Sequence, residues 1–150
     1  MKTKINILLL GTLLIIYSCK NESNPSEPEN NLDAARSFIR SALDGKFNEA
    51  RNYMLQDSLN NNYLDVAERS YKNTDQATKD SYRASTIIIH NLSDMNDSVS
   101  VLIYSNSFKN DHDTLRVIKA NDKWLVDLKY LYQHDIDTNY SRITNSDTLQ

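Results

Sequence analysis

The sequence predicts an α+β fold in which helices come first and an antiparallel sheet of about four strands follows. Three observations predict it. Apolar residues recur at helical spacing up to Tyr71 and at a period of two from Ala84 onward. The strand-like runs are joined by short polar connections, which suit hairpins rather than helical crossovers. The chain has 150 residues, 39% of them hydrophobic and 25% charged, enough for one core and too few for two.

The first helix is predicted from Leu32, where Leu32, Ala35, Phe38, Ile39, Ala42 and Leu43 share one face. Asp33 favours its start, and Gly45 follows its last apolar residue as a left-handed cap. Lys46 to Leu55 repeats the spacing with Phe47, Ala50, Tyr53 and Met54. A third helix, capped by Asp57 or Ser58, carries Leu59, Tyr63, Leu64, Ala67 and Tyr71, with a polar interruption at Asn60-Asn61-Asn62. Four strands follow over Ser85–Leu92, Ser98–Phe108, Thr114–Ala120 and Lys123–Tyr132, rich in Ile, Val, Thr and Tyr. In the last of them Trp124, Val126, Leu128 and Tyr130 share one parity, assigned to the covered face. Leu125, Asp127, Lys129 and Leu131 share the other, exposed one.

Composition removes several function classes. Two glycines, two prolines and one cysteine exclude collagen-like and disulfide-stapled folds. A formal charge of -3 without a basic stripe argues against nucleic acid.

The amino terminus has an organisation of its own. Lys2 and Lys4 precede an almost wholly apolar run, Ile5 to Ile16, which is too short to span a bilayer and suits a cleaved signal segment. Ile16-Tyr17-Ser18-Cys19 resembles the lipobox of bacterial lipoproteins, which implies cleavage before Cys19, acylation of its thiol, and palmitate-like chains holding the protein to a membrane. Lys20 to Asn31 holds no apolar residue besides two prolines and reads as a tether. The expected organisation is therefore a signal peptide over 1–18, lipidated cysteine and tether over 19–31, one domain over 32–134 and a polar tail over 135–150. The implied location is the cell envelope of a Gram-negative bacterium, anchored in the outer membrane on its periplasmic face or at the cell surface.

Two segments carry a second resemblance. Ala34-Ala35-Arg36-Ser37-Phe38, Leu43-Asp44-Gly45-Lys46-Phe47-Asn48-Glu49-Ala50 and Tyr53-Met54 form the first; Leu115 to Leu128, with Lys123-Trp124 after a hairpin turn, forms the second. Together they resemble small bacterial lipoproteins with a nuclear transport factor 2-like (cystatin-like) domain, many of them uncharacterised. That resemblance implies a strongly curved sheet wrapped around the helices, a cone that can leave a cavity. Some members are enzymes, such as isomerases and dehydratases, and others are not.

Candidate chemistry is sparse. Phe38, Tyr53, Tyr63, His90, Tyr104 and Trp124 are the expected cavity lining, and Tyr71, Tyr82 and Tyr130 belong to the same tyrosine-rich set. His90 shares parity with Ile88 and Leu92, which makes it the candidate for proton transfer, although a histidine on an apolar face is more commonly a hydrogen-bonded core residue. Asp127, the other candidate base, is assigned a structural role on the exposed or oligomer face. Asp111-His112-Asp113 has metal-ligand chemistry, but neighbours in an extended chain point apart, so a hairpin loop is the simpler reading. No zinc-like spacing, phosphate loop or serine-nucleophile motif is present, so no metal and no cofactor are expected. Asp57-Ser58-Leu59, Asp97-Ser98-Val99, Asp113-Thr114-Leu115 and Asp147-Thr148-Leu149 resemble an envelope-protein glycosylation motif.

The function these features imply is a membrane-anchored module, more a binder than an enzyme. Its partner is a small apolar ligand or an envelope protein. The alternatives are a cavity isomerase or dehydratase, and a structural scaffold that forms a homodimer through its sheet around Leu102, Leu125 and Leu131.

Overall fold

The computed structural model describes residues 27–130. The signal peptide, Cys19, most of the tether, Leu131 and the 135–150 tail lie outside the described residues. Helices precede a four-stranded antiparallel sheet, as expected: α1 (Asn31–Leu43), α2 (Phe47–Ala50) with a 3-10 turn over Arg51–Tyr53, α3 (Ser58–Asn73), α4 (Gln76–Ala84), then β1 (Ile87–Asn96), β2 (Val99–Asn106), β3 (Asp113–Ala120) and β4 (Lys123–Asp127). The sheet is a simple meander in the order β1-β2-β3-β4 and is not closed.

Local chemistry accounts for the boundaries. Asn30 caps α1 by accepting the Asp33 N–H at 2.9 Å, which places the start of the helix one residue before the expected Leu32. At its end, Gly45 N–H donates to Ala42 O and Lys46 N–H to Ser41 O, the paired bonds of a Schellman motif. Gly45 has φ +75°, and a Cβ there would stand 2.5 Å from the Tyr71 ring, so glycine is required twice over. The β3–β4 turn places Asn121 and Asp122 at φ 51° and 63°. Both side chains tolerate the left-handed region that a two-residue primed turn demands.

Three elements differ from expectation. Helix α4 has no buried residue and therefore no apolar period to read; its start is made by Asp75, which accepts the Thr78 N–H at 2.9 Å and the Thr78 hydroxyl at 2.7 Å. β1 runs through the expected Ser93–Asp97 connection to Asn96, leaving Asp97-Ser98 as the turn. β4 stops at Asp127 rather than Tyr132, because Leu128 N–H is taken by the Asn60 side chain instead of a strand partner.

The core lies between α1 and the inner sheet face. Ala34, Ala35, Phe38 and Ile39 of α1 meet Leu102, Leu115, Val117 and Val126, with Phe47, Ala50, Tyr53, Met54 and Leu64 closing the sides. Cross-strand pairing aligns Leu92, Leu102 and Leu115 in one row and Ser100, Val117 and Val126 in the next. Leu102 is fully buried in the first row, so it is no part of an exposed sheet patch. Truncating such a leucine to alanine costs about 2–5 kcal/mol.

Asp127 needs correction. Its parity is the outer one, yet it is 2% exposed, because Arg116 on the neighbouring strand forms an ion pair with it and Lys129 N–H donates to it at 3.2 Å. The Tyr130 ring lies 5.4 Å from the Arg116 guanidinium.

Candidate functional site

The helices do not fill the space above the far end of the inner sheet face. A cavity of about 270 Å³ remains there. Its walls follow from the helical periods: Phe38, Ile39, Ala42 and Leu43 from α1, Phe47 from α2, and Ala67, Ser70 and Tyr71 from α3. Thr74, Tyr82 of α4 and Tyr104 of β2 complete it.

Aromatic packing holds this lining in place. Tyr71 meets Phe47 edge to face at 5.5 Å and tilts against Tyr82 at 6.3 Å, while Tyr82 meets Phe108 at 5.1 Å. Arg40 ties α1 to the end of α4. Its guanidinium donates to Ser85 O at 2.8 Å and Tyr82 O at 3.2 Å, and pairs with Asp44 at 3.0 Å. These bonds satisfy the carbonyls at the end of α4, a helix with little apolar burial of its own. The Tyr71 hydroxyl is buried and has no hydrogen-bond partner among the described residues. Chemically, the lining residues are mostly aliphatic and aromatic, with Ser70 and Thr74 as the non-aromatic polar members.

The structure brings two of the six expected lining residues, Phe38 and Tyr104, to this cavity. The other four stand elsewhere. Tyr53 is buried on the opposite side of α1, beside Ser37 and Glu49, where burial first and the Glu49 charge second raise its phenol above the ordinary value. Tyr63 packs half-buried against the core. Trp124 is half-buried near the N-terminal end of the domain, in a depression shared with Glu27 and Pro28.

His90 is exposed, contrary to the cavity expectation. The register of β1 shifts between Ile89 and Asn91. This bulge breaks the alternation that linked His90 to Leu92, so Ile87, Ile89 and Leu92 pack inward while His90 points out. Its Nε2 lies 2.8 Å from Ser105 Oγ, and its ring lies 4.0 Å from that of His112. β1 is an edge strand rather than a central one. Asp111-His112-Asp113 falls between β2 and β3, with Asp113 opening β3. Among the described residues no group of three or more His, Cys, Asp or Glu side chains is placed to hold a metal ion.

Ser70, Thr74 and Phe47 carry no sequence signal for a cavity. Tyr71 and Tyr82 do, as members of the tyrosine-rich set, and the spacing of Leu64, Ala67 and Tyr71 on one helix face was the strongest pointer available. Comparison with family models, with curated proteins and with solved structures finds no match to this chain, so the site is read from its own geometry.

Proposed function

We propose that the protein is a lipid-anchored envelope module that binds a small apolar ligand without turning it over. The observation that carries the reading is the cavity of about 270 Å³ between α1, α3, α4 and β2, walled by apolar and aromatic side chains. Sites for drug-sized molecules run to roughly 300–1,000 Å³, so this volume suits a smaller guest. Anchoring through Cys19 rests on the lipobox resemblance, and among the described residues no helix is long and apolar enough to cross a membrane.

A nuclear transport factor 2-like cone remains our reading of the fold family; helices followed by a meander, with a cavity between them, support it. The isomerase or dehydratase alternative needs His90 or a carboxylate as a cavity base; His90 faces away from the cavity, and no carboxylate is among its described lining residues.

Native mass spectrometry of the full chain, purified gently from its own host, tests the proposal. A reproducible added mass, lost in a Tyr104→Trp variant that fills the cavity, is the expected result. A clean protein mass would overturn it in favour of the scaffold. That second reading has its own support in the outer sheet face, where Val99, Ile118 and Leu125 align across three strands beside Val101 and Ile103, all half-buried. It predicts a dimer that Ile118→Asp dissociates in sedimentation.

A further inference from the structure

We infer that the guest is an amphiphile with one carboxylate head, its apolar part in the cavity and its charge between Lys79 and Lys109. The inference rests on the cavity being a ligand site and goes further by naming the head group. Two ammonium groups stand beside the aromatic wall. Lys79 Nζ lies 5.8 Å from the centre of the Tyr71 ring, and Lys109 Nζ lies 6.0 Å from the centre of the Tyr82 ring. Both rings line the cavity and the two lysines themselves do not, so a head group would meet the cations past the rim of these rings.

Three carboxylates on the helices around Lys79 are engaged elsewhere. Asp80 pairs with Arg83 at 3.0 Å and accepts from Gln76 at 2.8 Å. Asp75 caps α4, and Glu68 pairs with Lys72 at 2.6 Å and with Arg51. Lys79 donates to the Lys72 carbonyl at 2.9 Å, a contact that leaves its charge uncompensated. Among the described residues neither Lys79 nor Lys109 forms an ion pair with a carboxylate, while neighbouring Lys72 and Arg83 do.

An apolar guest with no charge would leave both ammonium groups as they are. A carboxylate at the same place gains two cations while its chain loses contact with water. The volume limits the apolar part to a single short chain or to one or two rings. Exposed ion pairs contribute little individually, so the expected preference for an acid over its uncharged counterpart is roughly three- to tenfold.

The test uses the full chain in nanodiscs, photolysed with a diazirine-bearing fatty acid and, separately, with the fatty alcohol of the same chain. Crosslinked peptides are identified by mass spectrometry, which separates cavity labelling from lipid background. The acid should label the peptides containing Phe38, Tyr71 and Tyr104 several-fold more than the alcohol. The Lys79→Gln/Lys109→Gln pair should label equally with both, and Lys79→Arg/Lys109→Arg should keep the preference. Equal labelling of the unaltered protein by acid and alcohol would overturn the carboxylate assignment and leave the apolar site standing. If neither probe reaches those peptides, the cavity reading itself fails.

Discussion

Asn60, in the first turn of α3, accepts the backbone N–H of Leu128 at 2.7 Å across 68 residues of chain. Asn60 is fully buried, and its Nδ2 donates to Asp57 Oδ2 at 2.8 Å. Lys129 Nζ completes the arrangement by donating to the same Asp57 oxygen at 2.9 Å. One amide thus joins the start of α3 to the end of β4. It ends the strand and fixes where the helix that carries Ala67, Ser70 and Tyr71 begins. Asn60→Leu removes the acceptor and leaves the Leu128 N–H buried without a partner. The expected loss is about 1–3 kcal/mol, read from urea midpoints. A change below a few tenths would show that the bond contributes nothing net.

Acid stability should carry the signature of Asp57. Its carboxyl is held well below the usual range, first by the Asn60 backbone N–H and next by the Lys129 ammonium. A depressed folded value means that the contribution is present above the unfolded value of 3.8 and is lost as pH falls below it toward the folded one. Asp57→Asn keeps a capping oxygen and removes the charge. The stability gap between the two proteins should be widest near neutral pH and should close as pH falls below about 4. A gap that does not vary with pH would show that the charge plays no part.

Gly45→Ala should be among the more costly small substitutions outside the core. The left-handed backbone alone costs a non-glycine residue about 1–2 kcal/mol. The added methyl must also displace the Tyr71 ring, whose Cε1 would stand 2.5 Å away. Because Tyr71 is part of the cavity wall, labelling by an apolar probe should fall together with the melting temperature. A variant that melts lower yet labels normally would separate the Gly45–Tyr71 contact from the cavity.

Tyr71→Phe should be neutral or mildly stabilising. The hydroxyl is buried with no partner among the described residues, so its removal relieves a desolvated dipole and leaves no group behind. A loss of more than about 1 kcal/mol in urea unfolding would show that the hydroxyl has a partner in the folded protein.

His90→Asn should leave cavity labelling unchanged, because the imidazole sits outside the inner face, against Ser105 and His112. A fall in labelling without a fall in stability would return His90 to the site.

Legibility in the sequence followed the kind of signal each element carries. α1 and α3 were readable because a helical stripe must face the core, and β3 because alternation of Leu115 and Val117 with Arg116 survives in a central strand. α4 was unreadable, since a helix held by an Asp75 cap and by Arg40 on its last carbonyls needs no apolar stripe. The polar run Asn60-Asn61-Asn62 read as a flaw in α3, yet its first residue is the latch to Leu128. Asp127 read as exposed from parity alone, which takes no account of an arginine on the adjacent strand.

The helix-then-sheet order, the cap at Gly45, a cap at Asp57 or Ser58 and the turn at Asn121-Asp122 are written into the chain, because each depends on residues within a few positions of one another. Long-range packing places Phe38, Tyr71, Tyr82 and Tyr104 around one cavity and keeps His90 out of it. That outcome depends on a one-residue bulge in β1 and on contacts such as Arg40 to Ser85 and Asn60 to Leu128, which join residues 45 and 68 positions apart. Local periodicity repeats every few residues and cannot encode which distant side chain completes a hydrogen bond or where an extra residue shifts a strand's register.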